Sequence, residues 1–549
     1  MAETDHPPFR ISATVRALSA ALRGDAERAP DAAAASGTCE PDKLWFKESS
    51  ARNLQNRDFL SPTSVLSARH TGGQVPPSVV QQVLSVQGAG VLPVVGAELS
   101  GEGLRVRVDR APVFKAVLRG LSAYLHPLGS VQGGVLLNCP ALYPRQAPPT
   151  PDTLSVAQLR SVLLADHQAA LLRKQGFSVS FCPVLPEGGD IARLLGLLGV
   201  DWPTRPGGAS SARWDEAMWE ALRRSRYREL EDSRRDGAET QGEGPETVRI
   251  NLKQVVREKN LQGYDPNLGV CTGKWKFPVF VTLSLSAFQV PIATVLHVTT
   301  AQDEFRQQQV DVLWRVCGAQ VTQKHLVCGP VKTPGLQLSA SQYIHCICKC
   351  SFYFLQFPGH TRDDNIRVMT SATVRFELLS TVHSSPVTLD VQREGAVSTK
   401  GPRGGVFVMY NCARLHTLFS SYEQAVKQGL YPELPDASQL NFSSLKEEGE
   451  WLLLFNYIIP FSELLNQLGR SLARGGDGAR VSLKTEQICR FLVSLSKDFS
   501  AYYNRVHILG EPMPHLFNEM FCRLQLLRAL RELYHCALNT LHLPPVAQL

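Results

Sequence analysis

Between Val408 and Phe419 the apolar residues Val408, Cys412, Leu415 and Phe419 fall at i, i+4, i+7 and i+11, the spacing of one helical stripe. Tyr410, Arg414, Thr417 and Ser421 take the opposite face, with an aromatic ring four residues before a guanidinium. Such a face suits base stacking and phosphate contact, and it also suits plain solvation. Two further stripes predict helices: Ile488, Phe491, Leu492, Leu495 and Phe499, with Arg490 and Lys497 opposite, and Leu526, Leu530, Leu533, Ala537 and Leu541. Together they predict a helical domain over residues 371–549. Gly469, Gly475, Gly476 and Gly478 are expected in a loop that carries Arg470, Arg474 and Arg480.

Upstream the periodicity changes. GGVLLN, residues 133–138, reads as a buried strand, and a Pro-rich loop leads to DTLSVAQLRSVLLADHQAALLRKQG. There Asp152 or Thr153 can cap a helix, Val156, Leu159 and Leu163 line one face, and Gly176 can end it in the left-handed conformation. FSVSF alternates as the next strand, completing a βαβ unit of nucleotide-binding type. PVFVTLSL and ATVLHVTT read as further strands, followed by a helix through Asp311 and Trp314. Residues 203–262 read as an insertion: its centre, with Trp214 and Met218, can be helical, and Arg223, Arg224, Arg226 and Arg228 suit either RNA or solvent. Near the N-terminus, Val79, Val83 and Val86 suggest a short helix, and GLRVRVDRAPVFKAVLRGL reads as a strand followed by a helix from Ala111. That segment is the most basic in the chain, with Arg105, Arg107, Arg110, Lys115 and Arg119. Residues 1–42, with their DAAAASG run, are expected to be disordered or weakly helical.

Composition narrows the class. A chain of 549 residues with 44% hydrophobic residues has material for three or four cored domains. Its polar start and the lack of any run near the ~18 apolar residues of a membrane span point to cytosol or nucleus. Thirteen cysteines, an odd number, read as reduced thiols. In HCICKC, residues 345–350, the alternation of Cys346, Cys348 and Cys350 predicts a buried strand more readily than a zinc site. The net charge of +7 permits a polyanionic partner without demanding one. No phosphate-binding Gly-x-x-x-x-Gly-Lys loop, HExxH or Gly-x-Ser-x-Gly is present, so no cofactor or metal is expected.

Tyr410, Ala413, Arg414 and Leu415 resemble the Tyr-x-x-Ala-Arg pattern of the DALR anticodon-binding domain that closes arginyl-tRNA synthetases. Arg375 and Phe376 in ATVRFELL resemble that domain's opening, and DFSAYYNRVHIL and RLQLLRALRELYHCALNTLHL resemble its later segments. The resemblance implies an α/β plus all-α chain. A small α+β domain over 43–130, similar to one that contacts the tRNA elbow, precedes a degenerate class I synthetase, Rossmann-like domain over 131–370 and a DALR bundle over 371–549.

Where that family carries His-x-Gly-His before Leu-Arg-Ser, this chain has Ser155, Val156, Ala157 and Gln158 before Leu159, Arg160 and Ser161. Ser155 and Gln158 offer only neutral hydrogen bonds where the family stabilises phosphate charge, and Ala157 adds a Cβ where adenine would lie. After QKHLVCGPV, Lys332-Thr333-Pro334-Gly335 is a poor substitute for the mobile pyrophosphate loop. The resemblance therefore implies a non-catalytic binder of arginine tRNAs, with tRNA-contact candidates Arg375, Tyr410, Arg414, Tyr502, Tyr503, Asn504 and Arg505. It further implies an adaptor for a partner methyltransferase that forms 3-methylcytidine in the anticodon loop, with neither DNA nor membrane as a partner. A divergent ligase and a protein-only scaffold are the rival readings.

Overall fold

A computed structural model of the chain describes residues 7–24, 44–70, 75–129, 131–144, 147–206, 219–229, 248–273, 292–318, 321–354, 361–389, 404–473 and 478–547. The N-terminal domain begins earlier than the sequence suggested. Residues Ile11–Arg23 form helix α1, which buries Ile11, Val15, Leu18 and Leu22, again at i, i+4, i+7 and i+11. This corrects the expectation of a disordered start; the DAAAASG run lies outside the described residues. Helix α1 packs on α2 (Pro77–Leu84), beside an antiparallel sheet of β1 (Lys47–Glu48), β2 (Phe59–Pro62), β3 (Val94–Ser100) and β4 (Gly103–Val108), in the order β1-β2-β4-β3. Leu104, Val106 and Val108 of β4 point inward while Arg105 and Arg107 alternate outward, and α3 (Arg110–Arg119) follows.

The second sheet is wholly parallel, in the order β10-β9-β5-β6, from β5 (Gly134–Asn138), β6 (Ser178–Cys182), β9 (Ile292–Thr300) and β10 (Thr322–Cys328). The predicted βαβ unit is present: α4 (Val156–Lys174) joins β5 to β6, and Gly176 is left-handed with φ of 94°. Helix α4 is buried almost all round, as the central helix between sheet and bundle must be. Helix α5 (Glu304–Val316) carries Asp311 and Trp314 as expected, whereas the predicted strand PVFVTLSL lies outside the described residues.

Part of the 203–262 segment packs on the α/β core. Trp214 and Met218 lie outside the described residues, but Leu222, Tyr227 and the Val248 and Ile250 of β7 (Val248–Asn251), a strand that pairs with β8 (Val270–Gly273), share a core with Val312 and Trp314 of α5. HCICKC is also corrected: it lies in helix α6 (Ala340–Phe354), where Tyr343 and Ile347 are buried one turn apart. Alternate residues of a helix diverge by about 200°, so Cys346 and Cys348 lie on different faces, where a strand would have aligned them.

The C-terminal bundle opens with α7 (Thr361–Leu379) and comprises α8 (Gly405–Lys427), α9 (Phe461–Ala473), α10 (Gln487–Tyr503) and α11 (Phe517–Asn539). Every apolar stripe predicted for α8 and α11 is buried; in α10 only Phe491 is partly exposed. Gly405 lets α8 approach α7 closely, since a Cβ there would lie 2.4 Å from the Ala372 carbonyl oxygen. Gly469 is a packing glycine inside α9, not a loop residue: a Cβ would meet the Gln175 side chain at 1.6 Å.

Candidate nucleic-acid interface

Helix α8 turns its stripe toward α7, α10 and α11, which leaves Tyr410, Thr417 and Ser421 exposed and Arg414 partly so. The guanidinium of Arg414 is held from four sides. Its carbon lies 4.8 Å from the Tyr410 ring centroid and 5.2 Å from that of Tyr503, at the end of α10. Nη1 donates to Ser500 Oγ at 3.1 Å and Nη2 to Asn504 Oδ1 at 3.1 Å. Two tyrosines and two neutral acceptors fix the group without neutralising it, and no carboxylate lies within ion-pair distance among the described residues. Tyr410 remains 44% exposed, so its ring can extend the column by one more flat group. Ser500 was not singled out in the sequence, and only its contact with Arg414 identifies it.

The remaining candidates separate by burial. Asn504 and Arg505 are exposed beside this cluster, with Arg505 Nε donating to the Ala501 carbonyl. Tyr502 faces inward, fully buried, with its hydroxyl on Glu450 at 3.3 Å, so it is a core residue. Arg375 is also buried: Nη2 donates to Asp166 Oδ2 at 2.8 Å and to the Leu198 carbonyl at 3.0 Å, tying α7 to α4. Burial pushes the Asp166 carboxyl up, but Arg375 and His542 together draw it below the usual carboxylate range. Neither Tyr502 nor Arg375 can reach a ligand from these positions.

The basic N-terminal segment is largely committed to the protein. Arg105 pairs with Glu102 at 3.6 Å; Arg110 pairs with Asp58 at 3.0 Å and lies 5.1 Å over the Trp451 ring. Arg107 is exposed. Arg223 and Arg224 pair with Glu220, and Arg226 with Glu258. Arg480 is held by Glu304, Arg490 lies 3.9 Å from Glu486, and the side chains of Arg470 and Arg474 lie outside the described ones.

At the nucleotide motif, Ser155 and Gln158 form a capping box on α4. Ser155 Oγ accepts from the Gln158 N–H at 3.2 Å, and Gln158 Oε1 accepts from the Ser155 N–H at 2.9 Å. The cap is therefore Ser155, neither Asp152 nor Thr153. Arg160 is fully buried and donates to the carbonyls of Leu378, Gly329, Ser385, Val382 and Thr381 at 2.8–3.4 Å. Burial lowers its pKa. Ser161 Oγ bonds the Gln158 carbonyl. Near the switch point between β5 and β9, where such sheets bind ligands, polar side chains bond one another: buried Tyr143 donates to Asn138 Oδ1 at 3.0 Å, and Asn138 Nδ2 lies 2.8 Å from His297 Nδ1. Lys332 is exposed on a two-residue strand.

One cluster had no sequence signal, because its members come from β9, α5 and β10. His297, Asp311 and His325 are buried, with potential ligand atoms within 4.8 Å of one another. Most of their polar atoms are engaged, His325 Nδ1 excepted: His297 faces Asn138, Gln307 and Gln323, and Asp311 accepts from Tyr264, Arg315 and His325. A guanidinium on the same carboxylate opposes a bound cation, so the cluster reads as core. Burial lowers His297 to about 3, with His325 adding to the effect.

Comparison with known proteins agrees with this architecture. Residues 9–124 match the family described as DALR, N-terminal domain, and residues 408–549 the DALR anticodon binding domain. A Danio rerio protein called DALR anticodon-binding domain-containing protein 3 is 58% identical over 99% of both chains. A protein of the same name from Mus musculus is 40% identical over 92% of this chain and 96% of its own. Arginine--tRNA ligase of Aquifex aeolicus is 27% identical over 30% of this chain and 25% of its own. In fold, the chain is similar to the arginyl-tRNA synthetases of Thermus thermophilus and Plasmodium falciparum. Each has a TM-score of 0.58, at 15% and 12% identity, covering 98% and 99% of this chain and 100% of theirs.

Proposed function

The chain belongs to the family of DALR anticodon-binding domain-containing protein 3, and from that membership we propose that it is a non-catalytic tRNA-binding protein selective for arginine tRNAs. The observation that carries the reading is the guanidinium of Arg414 between Tyr410 and Tyr503. It offers a stacking surface with an uncompensated charge, the combination that holds an unstacked loop base beside its phosphate. Tyr410, Arg414, Tyr503, Asn504 and Arg505 are the residues of this site. Absence of ligation is supported by Ser155 and Gln158, whose hydrogen bonds close a helix cap, and by Tyr143 near the switch point.

The proposal extends to an adaptor role, in which the bound arginine tRNA is presented to a methyltransferase forming 3-methylcytidine in the anticodon loop. The methyl-donor site would belong to that partner, since the turn after β5 here runs Cys139-Pro140-Ala141-Leu142 without a glycine.

Binding of the full chain to arginine tRNA and to another tRNA, at stated salt, tests the reading. Native protein is expected to prefer arginine tRNA. Tyr410→Ala and Arg414→Ala are each expected to lose about 1–3 kcal/mol, roughly five- to 150-fold in affinity. Equal binding to both tRNAs, or none, refutes selectivity; ATP–pyrophosphate exchange driven by arginine would refute the non-catalytic reading.

A further inference from the structure

We infer that a second strip, on α11 where it borders α8, holds the phosphate backbone of the RNA that the Arg414 site reads; this rests on the tRNA-binding reading above. Most of α11 is core, and in its C-terminal half the exposed Arg528 and Asn539 and the half-buried Arg531, Glu532 and His535 recur at i, i+11, i+3, i+4 and i+7. They form one line along the helix. Arg531 marks where that line meets α8, because its guanidinium carbon lies 4.4 Å from the centroid of Phe419 on the rim of the α8 stripe. His416, one turn before Phe419 on α8, is exposed on the same side. Burial holds His535 below the usual imidazole range, and the nearby Arg531 and His416 lower it further while Glu532 opposes them, so these groups lie close to one another.

Charge pairing sets this strip apart. Arg523, earlier on the same helix, bonds Glu450 at 2.8 Å and Glu519 at 2.5 Å. Arg528 and Arg531 have no carboxylate within ion-pair distance among the described residues, and the acidic residues on the two facing helix surfaces are Glu532 and Glu423. A guanidinium laid on an aromatic ring keeps its in-plane N–H groups directed outward, the fork that phosphate oxygens match. Arg414 and Phe419 are five residues apart, about 7.5 Å along α8, and the helix is about 10–12 Å across. One RNA strand crossing the exposed face of α8 can therefore touch Arg414 on one edge and Arg531 on the other. Hydrogen bonds to the edges of a base stacked at the first edge would distinguish it, whereas phosphate contacts at the second carry no sequence information.

The test is tRNA binding by the full chain over a salt series, with arginine and non-arginine tRNAs, for native protein, the double variant Arg528→Gln/Arg531→Gln, and Arg531→Lys. The double variant is expected to weaken both tRNAs by the same factor. It should also flatten the slope of log affinity against log salt by about 1.4–1.8, two phosphate contacts' worth. Arg531→Lys should keep the slope. An unchanged slope in a double variant that still binds tRNA overturns the strip while leaving the Arg414 site standing. A loss confined to arginine tRNA also overturns it, by making these residues readers. Failure of native protein to bind any tRNA overturns both the strip and the function on which it rests.

Discussion

Arg160 belongs to the one stretch of the nucleotide motif that this chain keeps intact, yet the structure makes it a structural residue. Its guanidinium lies beyond the C-terminal end of α7, where the carbonyls of the last helical turn and of the following bend converge without intrahelical partners. Five backbone oxygens accept from it, and no carboxylate within ion-pair distance compensates its charge among the described residues. Arg160→Met fills a similar volume but strands five buried acceptors. Summing about 1–3 kcal/mol for each would overcount, because the native state also carries the cost of burying the guanidinium. Loss of a buried charged hub typically costs about 3–5 kcal/mol, and that is the expected destabilisation. Arg160→Lys keeps the charge but can reach at most three of the five carbonyls, so roughly half that loss is expected. Urea unfolding of the whole chain, reading the midpoint and slope of the transition that exposes α7, measures both. A multidomain chain need not unfold in one step, so the comparison with lysine at the same site is essential. An Arg160→Met protein within about 1 kcal/mol of native would refute the assignment and return the residue to a ligand-binding role.

Two further outcomes follow from groups the packing constrains. Burial holds His167 near 4 and His297 near 3, against about 6.5 in the unfolded chain, so the unfolded state takes up protons first as pH falls. Their stabilisation is complete above pH 6.5 and is lost as pH drops toward 4, on the order of 2 kcal/mol each by pH 5; urea midpoints that stay flat between pH 7 and 5 would contradict this. Gly405→Ala places a methyl group 2.4 Å from the Ala372 carbonyl oxygen, and α8 is expected to shift at a cost of about 1–3 kcal/mol, with weaker tRNA binding because Tyr410 and Arg414 move with the helix. Unaltered stability would show that α7 and α8 separate freely.

What the sequence made legible was periodicity over long windows. Val408, Cys412, Leu415 and Phe419 face inward as read, and so does the α11 series, because spacing near 3.6 over several turns leaves no other buried face. The same spacing stood in Ile11, Val15, Leu18 and Leu22, but the low-complexity run after them suggested disorder. HCICKC misled for the opposite reason: three alternating cysteines imitate a strand over six residues, while Tyr343 and Ile347 carry the longer helical period. Burial of charge was not legible at all. Arg375 finds Asp166 across 209 residues, and Arg160 finds its carbonyls across 169–225, so no local window could mark them as core.

The position of the N-terminal domain follows from the same kind of long-range contact. Asp58, fully buried, accepts from the Val108 N–H at 2.7 Å, from Arg110 at 3.0 Å and from the Trp451 indole of the bundle at 2.8 Å. Burial raises its pKa, and those three donors, with the Arg110 charge, oppose the rise. Around it Phe59 meets Phe455 edge to face, and Phe114 packs on Trp451 and Phe442. A joint made of buried aromatics around a satisfied carboxylate is a core contact, not a hinge between loosely docked modules. The exposed Arg107 of β4 and the guanidinium column on α8 are thereby held at a fixed separation before any ligand arrives. An RNA long enough to touch both meets a surface whose ordering cost was met on folding, which favours affinity over adaptability. The parts of the chain that resemble a catalytic domain serve the same end. Ser155 and Gln158 close a helix cap, Arg160 anchors the end of α7, and α7 supports α8 through the close approach at Gly405, so this segment helps to position the face that carries Tyr410 and Arg414.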